Sequence, residues 1–378
     1  MIYLDYSATT PVEESVLNSF VETTKKMIGN PNSLHKLGTD AKALIDAATK
    51  QIASILGVKK EEIIYTSGAS EANNTAIKGI CLKYQNRGKH IITTRLEHSS
   101  VIEPLNYLKN LGFEIEYVNL TEDGKVDLDD LKKKLRDDTI LVTITSMNSE
   151  LGIREPIDEI GKLLKDYPKV FFHSDITQSI GKEKINLENV DLASLSAQKF
   201  YGMKGIGALI KKENIVIEPL IHGGKSTTKD RSGTPATPLI VSMAKALRLA
   251  SENLEEKEKK VKELNEYLRG ELEKASITIN SPKDAIPNIL NISIENIKPE
   301  TILHALEEKD IYISTKTACS SNKNISDAVL ALTKSEEKAS HSLRISISYK
   351  TTKEELETFV KELVKIRNEL SKLYVKKD

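Results

Sequence analysis

Lys199 lies in SLSAQKFYGMKG at 194–205, between an apolar β-like stretch and a glycine-rich turn. An amine desolvated there loses its proton and becomes a nucleophile able to form a Schiff base; the alternative is a solvated lysine at a strand end. TSGASEANN at 66–74 ends a strand, turns on Gly68 and opens a helix with Ala69 and Ser70. Free amides there, with the Ser70 hydroxyl, suit a phosphate, unless the serine simply caps a strand-to-helix turn. HSDITQS at 173–179 closes another strand with Asp175, which either caps the next segment or pairs with a cationic ring nitrogen of a cofactor. RLEHSSV at 95–101 puts His98 at a helix head on the same loop side, as a cap, a surface group or a proton carrier.

Cys319 occupies a polar stretch, STKTACSSNKNIS at 314–326, where Lys316 and Lys323 favour a thiolate over an idle exposed thiol. Arg344, in the alternating run SLRISIS, needs a carboxylate if it faces inward, and an amino-acid substrate supplies one. HGGKSTTKDRSGT at 222–234 contains GGKST, but position 219 is Pro219 where a nucleotide-binding P-loop needs glycine. That reading is rejected, and Thr234 is the best phosphate donor of this loop. The seven histidines show no HExxH or Cys/His ligand spacing, so no metal site is expected.

The elements that must position these residues alternate in type. Strand-like runs at 62–68, 90–94, 113–120, 139–147, 170–176, 191–197 and 205–211 are interleaved with helical patterns, which favours a mostly parallel sheet covered on both faces, with ligands at the carboxyl ends of the strands. Thr39 is expected to cap a helix reaching Leu56. Cys81, on the apolar face of a helix with Ile77, Ile80 and Tyr84, is expected to be packing. After Pro235 and Pro238 come one or two long helices over 239–275, then strands at 288–294, 311–315 and 343–348, a helix from Pro299 to Lys309 and a closing helix at 352–376. This pattern reads as a second, smaller α/β domain. The expected division is 15–245 for the large cofactor-binding domain and 1–14 with 246–378 for the small one, which carries the Cys319 loop at about 314–326.

A chain of 378 residues with 55 basic and 55 acidic side chains has no overall field for nucleic acid or an anionic membrane, so a small-molecule substrate is the better default. Two cysteines argue for a reducing compartment. The start MIYLDYSATTPVEES reads as neither a signal peptide nor a membrane span, so a cytoplasmic location is expected.

LDYSATTP, GNPNSLH, TSGASEAN, EHSS, NSELG, DITQS, SAQK, RSGT, TACS and LRISI occur in this order over essentially the whole chain. In this the sequence resembles cysteine desulfurases of the NifS/IscS type, within the class V aminotransferase group. The resemblance implies α/β architecture of pyridoxal-phosphate fold type I, with a mostly parallel seven-stranded sheet, and a homodimer. It implies pyridoxal 5′-phosphate as cofactor, with Lys199 as the Schiff-base lysine, Asp175 on the pyridine nitrogen, His98 on the ring face and Gln178 on the ring hydroxyl. Ala69, Ser70, Ser196, Gln198 and, from the neighbouring subunit, Thr234 would hold the phosphate; Asn148 and Ser149 would reach the ring hydroxyl. Arg344, helped by the Asn148/Ser149 turn, would anchor the carboxylate of L-cysteine.

By the same resemblance Cys319 is the nucleophile of a mobile loop, which takes sulfur as a persulfide while L-alanine is released; about ten residues span up to roughly 33 Å. Such a long loop is similar to the IscS-like rather than the SufS-like group. Four positions depart from the pattern: Gln198 replaces a histidine, Ser149 replaces the second asparagine of NNE, KTAC replaces GSAC, and the chain stops at Asp378 without the tail by which some relatives hold an iron–sulfur scaffold. The NSE triplet and short tail resemble variants serving tRNA thiolation, so the sulfur acceptor is expected to be either a scaffold or a thiolation enzyme. The rival readings are a selenocysteine lyase or other class V enzyme with a dispensable Cys319, and a silent sulfur-trafficking scaffold.

Overall fold

A computed structural model describes residues 1–224, 228–315 and 325–374. Seven strands form one sheet in the order Ile63–Thr66, Gly207–Lys211, Leu192–Ser196, Phe171–Asp175, Thr139–Thr143, His90–Thr93, Glu114–Tyr117. Only Gly207–Lys211 runs against its neighbours; the other pairings are parallel. Each of the seven strand-like runs read from the sequence is present.

Successive residues of these strands feed opposite cores, as the pleat requires. Ile64, Ile91, Leu141, Leu192 and Leu209 pack under the helices Ala69–Tyr84 and Ser99–Lys109. Their neighbours Ile63, Ile92, Val142, Ala193 and Ile210 pack under Glu14–Lys26, Lys36–Leu56 and Thr237–Ser251. Burial on both faces explains why the strands read as continuous apolar runs. Cys81 is buried in the first of these cores, as expected. Thr39 does not cap its helix. His35 does so, Nδ1 accepting from the Gly38 amide at 3.3 Å, and the Thr39 hydroxyl donates to the Lys36 carbonyl from inside the first turn.

A separate core surrounds the antiparallel strands Ser342–Ser346, Ile289–Ser293 and Thr278–Ile279, packed by the helices Leu254–Lys274, Pro299–Glu307 and Lys353–Tyr374. The chain start belongs with it. Ile2–Tyr3 pairs in parallel with Ile311–Tyr312, Leu4 is fully buried in this core, and the Leu4 carbonyl accepts from the Ser346 amide at 2.7 Å. From there residues 5–10 cross to the large sheet, where the Thr10 amide donates to the Gln198 carbonyl at 2.9 Å.

Candidate active site

A cavity of about 370 Å³ opens where Phe171–Asp175 and Leu192–Ser196 end and the helix Ala69–Tyr84 begins. The strand ends dictate what faces it. Leu192–Ser196 runs into a single 3₁₀ turn, Ala197–Lys199, which turns Lys199 back over the sheet edge. Its Nζ donates to the carbonyls of Ser7 at 2.6 Å and Ala8 at 2.7 Å.

Gly68 precedes the helix Ala69–Tyr84 at φ 151°, ψ −178°, a conformation nearly restricted to glycine, and no side chain caps the helix. A Cβ on Gly207 would lie 2.7 Å from the Gly68 Cα, so the two backbones meet directly. The open helix start, with Ser70 and Ser196, forms a cradle for an anion. Glu71, beside it, is held by the Ser67 amide at 2.7 Å and Arg231 Nε at 2.8 Å. Burial works against its charge, but the Arg231 and Ser67 hydrogen bonds outweigh it and keep the carboxyl below its usual range.

Asp175 is buried at the end of its strand. Its Oδ1 accepts from the Thr177 amide at 3.0 Å and its Oδ2 from Asn73 Nδ2 at 2.8 Å. The same Asn73 nitrogen donates to Ser100 Oγ at 2.9 Å, and Ser100 Oγ lies 2.8 Å from His98 Nδ1. Because Nδ1 also accepts from the Ser100 amide at 3.1 Å, the proton of a neutral His98 ring belongs on Nε2. Glu97, just before it, is pushed up to about 8 by burial, although the Thr145 amide and the Thr94 hydroxyl donate to Oε1. Behind Asp175, burial takes His173 down to about 4, so it is a neutral link between Thr143 and Ser194 within the sheet.

Arg344 is 2% exposed; its Nη2 donates to Asp5 Oδ1 at 2.8 Å and its Nη1 to the Ser149 carbonyl at 3.1 Å. Its Nε and the Ser7 hydroxyl are buried with no hydrogen-bond partner among the described residues.

Ala69, Ser70, His98, Ser149, Asp175, Gln178, Ser196, Gln198, Lys199 and Arg344 therefore line one cavity. Asn148 does not. Its Nδ2 donates to the Leu96 carbonyl at 2.9 Å, and its Oδ1 takes the amides of Glu150 and Leu151, so it builds the turn that presents Ser149. Thr234 is exposed and apart from the cavity of its own chain. Cys319 lies outside the described residues, as do Lys316 and Lys323. Both flanks of that stretch are fixed beside the cavity: Ser314 exchanges backbone hydrogen bonds with Arg344 at 2.7 and 3.1 Å, and the Ser326 hydroxyl donates to Glu150.

Residues without an assigned role in the sequence also belong to the site: Asp5, Ser7, Ala8, Asn73 and Ser100. Asn73 had a legible signal, since it stands one turn before Ile77 on the apolar helix face and is fully buried. A polar side chain there must find polar partners.

These features fit pyridoxal phosphate: an open helix start for its phosphate, a buried carboxylate for its ring nitrogen, an amine for its aldehyde, and the unsatisfied Ser7 hydroxyl and Arg344 Nε nearby. Comparison with known proteins agrees. The family model "Aminotransferase class-V" matches residues 2–359. The chain is 41% identical to "Cysteine desulfurase IscS" of Dictyoglomus turgidum, over 94% of this chain and 91% of that one. It is also 41% identical to "NifS/IcsS protein homolog" of Lactobacillus delbrueckii, over 99% of both. A solved "NIFS-LIKE PROTEIN" superposes with a TM-score of 0.91 at 35% identity, covering 98% of this chain and 99% of that one. With matching sequence, fold and cavity, the chain belongs to the class-V aminotransferase family and, within it, to the cysteine desulfurases of the NifS/IscS type.

Proposed function

We infer that this protein is a pyridoxal-phosphate-dependent cysteine desulfurase that converts L-cysteine to L-alanine and passes the sulfur through Cys319 to an acceptor. The observation that carries this is the convergence of the Lys199 amine, the buried Asp175 carboxylate and the glycine–serine helix start on one cavity. When bound, the cofactor supplies an electron sink for bonds broken at the substrate's Cα and Cβ.

The chain's own residues do the rest. Lys199 would hold the cofactor through Nζ and, when that nitrogen is free, would move protons there. Asp175, fixed by Asn73 and Thr177, would accept from the ring nitrogen. His98, oriented through Ser100, would cover the ring face. Ala69, Ser70, Ser196 and Gln198 would hold the phosphate, and Gln178 and Ser149 would meet the ring hydroxyl. Arg344 turns its unsatisfied Nε to the substrate carboxylate while Asp5 and the Ser149 carbonyl hold its other nitrogens. In the net exchange the Cys319 thiolate bonds to the substrate sulfur, the Cβ–S bond breaks, and Cβ takes up a proton. The products are L-alanine and a persulfide on Cys319.

We assign residues 15–245 to a cofactor-binding domain and 1–14 with 246–378 to a small domain, supported by the separate core around Ser342–Ser346 and by Leu4 within it. The working unit is a homodimer in which Thr234 reaches the neighbouring subunit's phosphate site. Its support is the exposure of Thr234 and of the apolar Ile28, Leu34 and Leu37, at 77%, 97% and 50%. The acceptor is an iron–sulfur scaffold or a tRNA-thiolation enzyme, in the cytoplasm.

Mass spectrometry of the loaded protein after mixing with L-cysteine tests this reading. One added sulfur mapped to Cys319, with alanine released, is expected; alanine formation undiminished in Cys319→Ala would point instead to a selenocysteine lyase or another class V reaction. A protein that binds no cofactor at all would be a sulfur-trafficking scaffold.

A further inference from the structure

Next to the Lys199 amine stands a second lysine that the proposed reaction leaves without a task. Lys182 Nζ donates to Gln178 Oε1 at 2.6 Å, and Gln178 Nε2 donates to the Ser7 carbonyl at 3.0 Å. Lys199 uses that same carbonyl, at 2.6 Å. The turn that delivers Lys182 has no slack: Gly181 is at φ 72°, and a Cβ there would lie 2.9 Å from the Cβ atoms of both Ala250 and Phe200. Lys182 and Lys199 also line one small pocket of about 30 Å³, which they share with Tyr6, Tyr201 and Glu258.

A glutamine amide can face either way, and its partners decide which. A carbonyl only accepts, so the Ser7 carbonyl needs Gln178 Nε2 and leaves Oε1 to accept from Lys182 Nζ, which has protons to donate whether charged or neutral. Turned over, Oε1 would oppose the Ser7 carbonyl and Nε2 would oppose Lys182. Resting on the reading of this cavity as a pyridoxal-phosphate site, we propose that Lys182 is a positioning residue. It locks the Gln178 amide with Nε2 as the donor and, through the shared Ser7 carbonyl, helps place the Lys199 amine. Burial, then the positive charges of Lys199 and Arg344, bring Lys182 down to about 7 against the opposing pull of Glu183. A lysine kept there despite desolvation and two neighbouring cations is a costly structural element unless its donor is needed.

The test compares Lys182→Met, Gln178→Ala, the double variant and Lys182→Arg with the wild type. Two readouts are used: the affinity of each apoprotein for pyridoxal phosphate, and the pH dependence of Lys199 acylation in the apoprotein, followed by mass spectrometry. Loss of one orienting hydrogen bond is expected to weaken cofactor binding about fivefold in Lys182→Met. The double variant should be no weaker than Gln178→Ala alone, Lys182→Arg should recover most of the affinity, and the Lys199 acylation midpoint should shift in Lys182→Met. Affinity and midpoint in Lys182→Met equal to wild type, or losses that multiply in the double variant, would overturn the proposal. Thermal melts confirm that each variant is folded, and Lys182→Gln repeats the comparison if methionine is not accommodated. If the wild type binds no pyridoxal phosphate, the functional reading fails; if it binds and Lys182→Met matches it, only the role of Lys182 fails.

Discussion

Asn73 and Asp175 are joined by a buried 2.8 Å hydrogen bond, and because the same amide nitrogen also donates to Ser100, one side chain orients both the Asp175 carboxylate and, through Ser100, the His98 ring. Removing it strips a donor from a buried carboxylate, a loss of about 1–3 kcal/mol. Asn73→Ala is expected to weaken cofactor affinity by roughly tenfold to a hundredfold. Titration of the apoprotein with pyridoxal phosphate reads it; an unchanged affinity would mean that Thr177 alone suffices.

Lys199→Ala removes the only described amine directed at the Ser7 and Ala8 carbonyls inside the cavity. The purified variant should lack the yellow colour of the covalently loaded protein, and its alanine production should fall at least about a thousandfold. Stopped assays with chromatographic detection of alanine check this.

The two cysteines are expected to behave oppositely. Burial pushes the Cys81 thiol well above its ordinary range, leaving it inert to alkylation in the native state. Cys81→Ala should keep its turnover and lose about 1 kcal/mol of stability, whereas Cys319→Ala should lose sulfur transfer. Peptide mapping after a short iodoacetamide pulse separates them.

Arg344→Lys keeps the charge but gives up the planar fork that reaches Asp5 and the Ser149 carbonyl at once and that the proposed reading also turns to the substrate carboxylate. KM for L-cysteine should rise about tenfold with a smaller change in kcat. Steady-state kinetics decide; a change confined to kcat would place Arg344 in the chemical step rather than in carboxylate binding.

Burial raises Glu155 from 4.5 to about 8 even though its Oε2 accepts from the Val126 amide at 2.8 Å. The folded protein therefore binds a proton that the unfolded chain releases. The resulting stabilisation is complete below about 4.5 and disappears as pH rises through about 8. Urea melts at pH 5 and pH 8.5 should show a steeper loss for wild type than for Glu155→Gln, by a few kcal/mol at most.

The seven central strands were legible because two-sided burial leaves unbroken apolar runs, and the strand-end residues Asp175 and Lys199 were legible because loops at strand ends gather ligands, whereas Ser196 came only from the family resemblance. The helix Glu14–Lys26 went unread: among its thirteen residues only Val16 and Thr23 are buried, too few to print a period. The roles of Ser7 and Ala8 were hidden for another reason, since they act through backbone carbonyls, which every residue type possesses. Asn148 was read as a site residue from the family's NNE triplet, but its side chain closes the turn instead.

The carbonyls that seat Lys199 are themselves hung on the far end of the chain, for the Ser7 amide donates to Ser346 Oγ at 2.9 Å. A ribosome that has released residue 200 has made the lysine, the acid and the anion cradle, yet the clasp around the amine cannot close until residue 346 has emerged. Cofactor capture in its final form thus belongs to the finished polypeptide, and a product terminated before Ser342–Ser346 would carry most of the site's residues without the seat for its amine.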